Sequence, residues 1–288
     1  MPWARLPTRH RLPKRRPTRS LTRSHREYTG SRSRRMRTLG LEISKLKRSR
    51  LWLTLVLATG IELAWATAVL SIVITRSGTT GIAVDAGYAI GETSSVHAVV
   101  TPIISAVVAS RLAATEHDST MLSQLLADGQ PRAPFFLAKL TTAVAACSVP
   151  ALALVPTTTL VGAVGGVPAD PGLTATWLAG LMVANIAMTA IHLALALLVR
   201  RQALTLTVGA LGALSASLVG FVVPDSVATV LPWQYPALLV PVRMQQIEGT
   251  ITGFVPVDHL GTYVAIVVIV SLVATAVAQT TFSRQVTR

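Results

Sequence analysis

Long apolar runs alternate with short polar breaks along this chain. The runs are Leu51–Ile74, Val96–Ala114, Phe135–Gly162, Thr174–Val199, Ala203–Val223 and Gly261–Thr280. An α-helix needs about 20 apolar residues to cross a hydrocarbon core, and these runs are close to that length or beyond it. The pattern predicts an all-α, polytopic integral membrane protein with about six transmembrane helices. Between the runs, Arg76–Ser95 reads as a Gly-rich polar loop, Gly165, Gly166, Pro168, Pro171 and Gly172 as a turn, and Arg200–Gln202 as a very short loop. Pro150 and Pro156 predict a bent or broken third span. The apolar stretch Val230–Val242 carries Pro232, Pro236 and Pro241. It is too short and too Pro-rich to span, so it should lie in the interface or re-enter. Met244–Phe254 after it is a polar stretch.

The break Thr115–Leu140 differs from the others. Met121, Leu122, Leu125 and Leu126 fall on one face at helical spacing. Thr115 with Asp118 reads as a capping box, and Gly129 followed by Pro131 as a helix stop. A short amphipathic helix of this kind can lie on a membrane surface, fill a groove on a soluble partner, or serve as a plain connector.

Charge divides the chain. The formal net charge is +14, and the mean hydropathy is +0.56, too apolar for an ordinary soluble domain. Basic residues crowd residues 1–50, and the remainder is roughly balanced. Residues 1–35, rich in Arg, Pro, Ser and Thr, cannot build a core and read as a basic disordered tail or a mis-assigned start ahead of Met36. A targeting helix is disfavoured by Pro2, Pro7, Pro13 and Pro17, and no nucleic-acid partner is expected. Residues 36–50 put Leu39, Ile43 and Leu46 on one face beside Lys45, Lys47, Arg48 and Arg50, as an interfacial helix against anionic lipid would. Residues 51–288 form the six-span domain. With six spans, the N-terminus, Arg111, Arg132, Lys139, Arg200, Arg201, Arg284 and Arg288 share one side, and Arg76 and Arg243 the other. The positive-inside rule then places both termini and the Thr115–Leu140 break in the cytoplasm of a cell-membrane protein. Arg111 and Lys139 sit where long side chains snorkel to the interface.

Chemistry-bearing residues inside the runs are few. Glu62 lies near the middle of the first run, where an unpaired carboxylate costs several kcal/mol, about 2.5–3.5 on insertion scales. It is either a pathway residue or a hydrogen-bonded residue at a helix contact. Asn185 and His192 suit interhelical hydrogen bonds. Gly209, Gly212, Ser215, Ser217 and Gly220 allow close packing of the fifth run. Cys147 is the single cysteine, so cysteine-based zinc clusters and intramolecular disulfides are excluded, and it reads as a packing residue. Glu116, His117 and Asp118 point in different directions on a helix and hold no metal. No Walker A, H-E-x-x-H or G-x-S-x-G pattern occurs.

From Met36 onward the chain resembles the membrane subunit of ABC transporters of the type-2 exporter class. The resemblance lies in six spans, a basic amphipathic start running from Glu42 to Trp52, and the break after the second span. In that family this break holds a Glu, a short helix, a small-residue turn, an Arg, then an aromatic residue and a Lys. Here Glu116, Leu125–Gly129, Arg132, Phe136 and Lys139 take those places. The family often has Gly soon after the Glu, where this chain has Asp118, Ser119 and Thr120. Pro232, Trp233, Tyr235 and Pro236 resemble a Pro-Trp-x-Tyr-Pro element of permeases for lantibiotic and bacitracin-like peptides. The resemblance implies an ATP-driven exporter subunit for amphipathic peptide or lipid-like compounds, without its own ATPase or cofactor. ATP and Mg would be bound by a partner ATP-binding subunit. Glu116, Leu122, Leu125, Leu126 and Arg132 would form a cytoplasmic coupling helix between spans 2 and 3, Glu62 would face the pathway, and a second permease copy or homologue would complete it. The alternative is a secondary transporter or channel-like protein that uses Glu62 and His192.

Overall fold

The structure is a computed structural model and describes residues 50–80, 83–117, 132–199, 201–219, 225–247 and 250–285. The basic tail, most of the interfacial segment 36–50, and Leu122, Leu125 and Leu126 of the expected coupling helix lie outside the described residues. The long helices are α1 (Leu51–Thr80), α2 (Ala86–His117), α3 (Arg132–Val164), α4 (Pro171–Leu198) and α5 (Gln202–Val219). A short helix α6 (Asp225–Ala228), a 3-10 turn (Pro232–Gln234) and helix α7 (Tyr235–Leu238) follow. Strands β1 (Val242–Ile247) and β2 (Thr250–Pro256) then lead to α8 (Leu260–Gln285).

Among the described residues, five helices (α1–α4 and α8) are long and apolar enough to cross a membrane. The expected fifth span forms as α5, but with 18 residues it covers only about 27 Å of an about 30 Å core. The bundle is arranged around α2, whose apolar window is 72% buried, against 22% for α1 and 11% for α8. Helix α2 supplies Ile90 and Val96 to one core cluster, Ala109 and Ala113 to a second, and Ile104, Val108 and Leu112 to a third. Cys147 packs in the third, as a small apolar residue.

The ends of the helices follow from local chemistry. Asp85 opens α2: its carboxylate accepts from the Tyr88 N–H at 2.7 Å and its carbonyl from the Ala89 N–H at 3.1 Å. The expected Arg76–Ser95 loop is therefore mostly helix. Helix α1 runs on to Thr80 and α2 starts a full ten residues before Val96, because Tyr88, Ala89 and Ile90 are buried rather than solvated. Asp170 opens α4 by accepting from the Leu173 N–H at 2.9 Å, with Pro171 in the first turn. Helix α3 ends as expected at the Gly165–Gly166 turn. Gly166 has φ +80°, and the Val167 and Gly166 N–H groups return to the Gly162 and Ala163 carbonyls. Pro150 and Pro156 do not break α3, which is continuous through both. Neighbouring helices compensate for proline inside a bundle.

The Pro-rich stretch re-enters. Tyr235 is fully buried among Ala184 and Ala187, halfway along α4, and Val267 of α8. Three glycines on three helices make room for it and for the hairpin. A Cβ on Gly212 would overlap the Trp233 indole, one on Gly180 the Leu239 carbonyl, and one on Gly91 the Phe254 ring. The supposed polar stretch 244–254 is an antiparallel hairpin that pairs Val242 with Pro256 and Ile247 with Thr250, with a bulge opposite Gln245/Gln246. Period-2 signal is weak there, and the anchor is tertiary: Phe254 meets Tyr88 edge to face at 5.0 Å.

Substitution of Gly180 by Val is expected to displace the Leu239 carbonyl. The loss is about 1–3 kcal/mol, as for other overpacked sites, with faster proteolysis of residues 229–247. Gly60, which has nothing within 4 Å of a built Cβ, serves as the contrast. Gly60→Ala should stabilise by up to about 1 kcal/mol through helix propensity. Thermal unfolding in lipid measures both, and equal behaviour of the two variants would contradict the seating described.

Candidate functional site

Polar side chains run through the apolar bundle on facing helix surfaces. On α2, Ser94, His97, Thr101 and Ser105 recur at helical spacing and all are buried. On α1, Thr59 and Glu62 stand one turn apart, and Glu62 is 0% exposed. On α4, Asn185 and His192 are each 1% exposed. These positions form a seam that begins about two turns into α2, and His97 lies about three turns in.

Two side-chain contacts cross the seam. Glu62 Oε1 meets His97 Nδ1 at 2.5 Å. His192 Nδ1 lies 2.9 Å from the Met188 carbonyl and 3.1 Å from Ser105 Oγ. The Met188 carbonyl can only accept, so His192 carries its proton on Nδ1. Ser105 donates to the Thr101 and Pro102 carbonyls, at 2.9 and 3.1 Å, and accepts from the imidazole. Buried atoms without a protein partner among the described residues line the same seam: Thr59 Oγ1, Glu62 Oε2, Ser94 Oγ, His97 Nε2, Thr101 Oγ1, both amide atoms of Asn185, and His192 Nε2. A buried polar group left without any partner costs about 1–3 kcal/mol. Below the seam, Lys139 does not snorkel. It is fully buried and donates to the Leu112 carbonyl at 3.1 Å, because its position on α3 faces α2. Arg111 is exposed, as snorkelling requires.

The helix α5 closes on α2 through Gly209, where a Cβ would overlap Ala106 and come 3.0 Å from the Pro102 carbonyl. The closed seam therefore has no room for a solute between α2 and α5. Where α2 and α4 begin and α3 ends, a shallow open cleft remains, lined by Ile90, Thr158, Asp170 and Trp177 among others. No cluster of three or more metal-ligating side chains occurs among the described residues.

The bundle is thus built of apolar helices with a polar seam buried between them. The model of the ABC-2 family transporter proteins matches residues 38–216. The chain belongs to the ABC-2 transporter family. No curated protein and no solved structure matches it. An ABC-2 membrane protein is the multi-pass permease subunit of an ABC transporter. It generally lacks its own ATPase and works with ABC ATP-binding subunits.

Within this ABC-2 permease the expected site residues are distributed as follows. Glu62 is paired with His97, a contact that the sequence reading missed; the signal was present as Ser94, His97 and Thr101 on one helical face. Glu62 and His192 are not bonded to each other. The backbone of Thr115, Glu116 and His117 is the last turn of α2, so the capping box expected at Thr115 does not open a new helix. The Ala-rich end of the span simply continues. Arg132 is the first residue of α3. Phe136 is buried against Ala109, Ala113 and Leu193. Pro236 and Tyr235 are buried, and Trp233 and Pro232 are half-buried, so this element is packed into the bundle and not displayed on a free loop.

Removal of one partner of a buried hydrogen-bonded pair costs about 1–3 kcal/mol or more, because the other remains unsatisfied. Glu62→Leu and His97→Leu should each destabilise the protein in that range, while the double variant should cost clearly less than their sum. Reversible unfolding in lipid or mild detergent provides the cycle. Additive losses would show that the two side chains are energetically independent.

Proposed function

We propose that this chain is the membrane half of an ATP-driven exporter in which a separate ABC subunit binds ATP and Mg. The observation that carries the reading is the family match over residues 38–216, which spans α1 to α5 and the break between α2 and α3. The basic residues on one side of the spans support a cell-membrane protein with both termini and that break in the cytoplasm. On this reading the segment from Glu116 to Gly129, with Leu122, Leu125, Leu126 and Arg132, docks on the ATP-binding subunit. Helix α2 ends in this segment, so a shift of the docked segment acts directly on the most buried helix of the bundle. Differential contact with two states of the ATPase biases two arrangements of the spans. Glu62 faces the transport pathway when those spans part.

A second copy of the chain, or a homologue, completes the pathway. The apolar surfaces of α1 and α8 support a seat for a second subunit and for lipid: Leu57 of α1 and Leu272 of α8 are 64% and 65% exposed. The substrate class that fits is amphipathic peptides of the lantibiotic and bacitracin kind, or lipid-like compounds, entering from the membrane. The Pro232–Pro236 element supports this class.

Glu116→Ala and the pair Leu125→Ser with Leu126→Ser are expected to insert normally but to co-purify less ATPase and lose substrate-stimulated hydrolysis. Loss of an interfacial charge contact costs about 2 kcal/mol or more. Arg132→Ala should be milder. Unchanged complex and unchanged stimulation in both the Glu116 and the Leu125/Leu126 variants would remove the coupling role from this segment.

A further inference from the structure

We propose that Glu62 and His97 form a proton-binding site whose occupancy seats α1 on α2. The contact joins two side chains that are 0% and 1% exposed. A carboxylate oxygen and an imidazole nitrogen at 2.5 Å hold a hydrogen between them, since two lone pairs at that distance repel. Three protonation levels then exist. Carboxylate with neutral imidazole carries −1, carboxylic acid with imidazolium carries +1, and the middle level carries no net charge. The middle level is either carboxylate with imidazolium or carboxylic acid with neutral imidazole. These two forms differ only by transfer of one proton from oxygen to nitrogen, with no change of charge.

A net charge in a low-dielectric interior costs several kcal/mol per ion even after relaxation, so the neutral middle level is favoured. The ligand of the site is the proton that converts the −1 level to the neutral one. Neighbouring titratable groups do not replace it. Helix α1 adds Arg76, α2 adds Tyr88, Glu92 and Arg111, and α3 adds Cys147 and Lys139. Helix α4 adds His192, and α7 and β1, which also pack on α2, add Tyr235 and Arg243. None of these bonds to Glu62 or His97 among the described residues. Instead, one threonine stands a turn away from the pair on each helix. Helices α1 and α2 are consecutive and antiparallel, so Thr59, one turn before Glu62, falls level with Thr101, one turn after His97. Among the described residues, both Thr hydroxyls lack a protein partner, as do Glu62 Oε2 and His97 Nε2. Neutral hydroxyls can donate or accept, so they serve either proton arrangement.

The site matters for the spans because α1 otherwise meets α2 and α3 through apolar side chains, Leu51, Leu55 and Ala58 in one cluster and Ala66 in another. The apolar window of α1 is 22% buried, and lipid tails are as apolar as the residues it presents, so the hydrophobic effect gives no preference for α2 over lipid. A polar contact decides the seat. Gain or loss of a proton leaves a net buried charge, which is relieved when α1 separates from α2 and admits water.

The test uses the full chain in lipid nanodiscs with Cys147 replaced by Ala. Infrared difference spectra across pH read the protonation of the pair. Spin labels at Ile72 and Ser95, both on exposed surfaces, read the α1–α2 distance. Expected for the parent protein is one infrared titration step that Glu62→Gln abolishes and His97→Gln displaces. The distance distribution should be narrow near neutral pH and broaden at the extremes. Glu62→Gln with His97→Gln keeps hydrogen bonding without charge and should give a narrow distribution at every pH. The idea is overturned by an infrared step unchanged in His97→Gln, or by pH-dependent broadening that survives in the double variant. Neither readout involves an ATPase, so an error in the exporter reading leaves this test intact.

Discussion

A carboxylate near the middle of a membrane span fixes how the first two helices meet. Glu62 is fully buried and its one bonded partner among the described residues is His97. Most of the α1 surface is exposed, where a carboxylate at this depth would meet hydrocarbon, and its face toward α3 is apolar. The contact therefore sets the rotation of α1 about its axis and its height against α2. The rest of the arrangement builds outward from α2. Polar residues occupy one of its surfaces, and Gly209 of α5, the α4 imidazole of His192 and the core leucines of α3 and α4 occupy the others. Helices α1 and α8 form the lipid-facing rim.

The same constraint governs the stretch between α5 and α8. Backbone polar groups at membrane depth must be satisfied by protein, and the chain here is only briefly helical. Side chains do the work. The Arg243 guanidinium donates to the carbonyls of Ala237, Val240 and Leu238, at 3.0, 3.2 and 2.8 Å, and so caps α7. Gln234 donates to the Ala216 carbonyl at the end of α5, and the Tyr235 hydroxyl to the Thr229 carbonyl, each at 3.2 Å. Arg243, on the side opposite most of the basic residues, thus has a structural reason to be there.

The membrane class and most of the helices were legible in the sequence, because an apolar run of span length has few alternatives to a helix in lipid. The turn at Gly165–Gly166 was legible from the Schellman requirement for a left-handed residue. The start of α2 was not, since its first turns are small and polar in composition and owe their burial to Phe254, more than a hundred residues away. The hairpin was missed for the same reason: Gln245, Gln246 and Thr252 give no hydrophobic alternation, and Gly91 is shaped for Phe254 by tertiary packing alone. Glu62 stood out as an intramembrane acid, but a partner on another helix cannot be read from spacing along one chain. Lys139 lay at snorkelling depth, yet its rotation around α3 turned it toward the Leu112 carbonyl.

The account holds that this ABC-2 permease is driven by a separate ATP-binding subunit. The most direct measurement is co-expression with the ABC ATP-binding subunit encoded nearest to it, followed by membrane fractionation and ATP hydrolysis in reconstituted lipid. The account predicts that the ATP-binding subunit is found on the membrane only when this chain is present, and that the complex hydrolyses ATP at a rate the substrate changes. An ATP-binding subunit that stays soluble beside the correctly inserted chain, with hydrolysis indifferent to its presence, would contradict it.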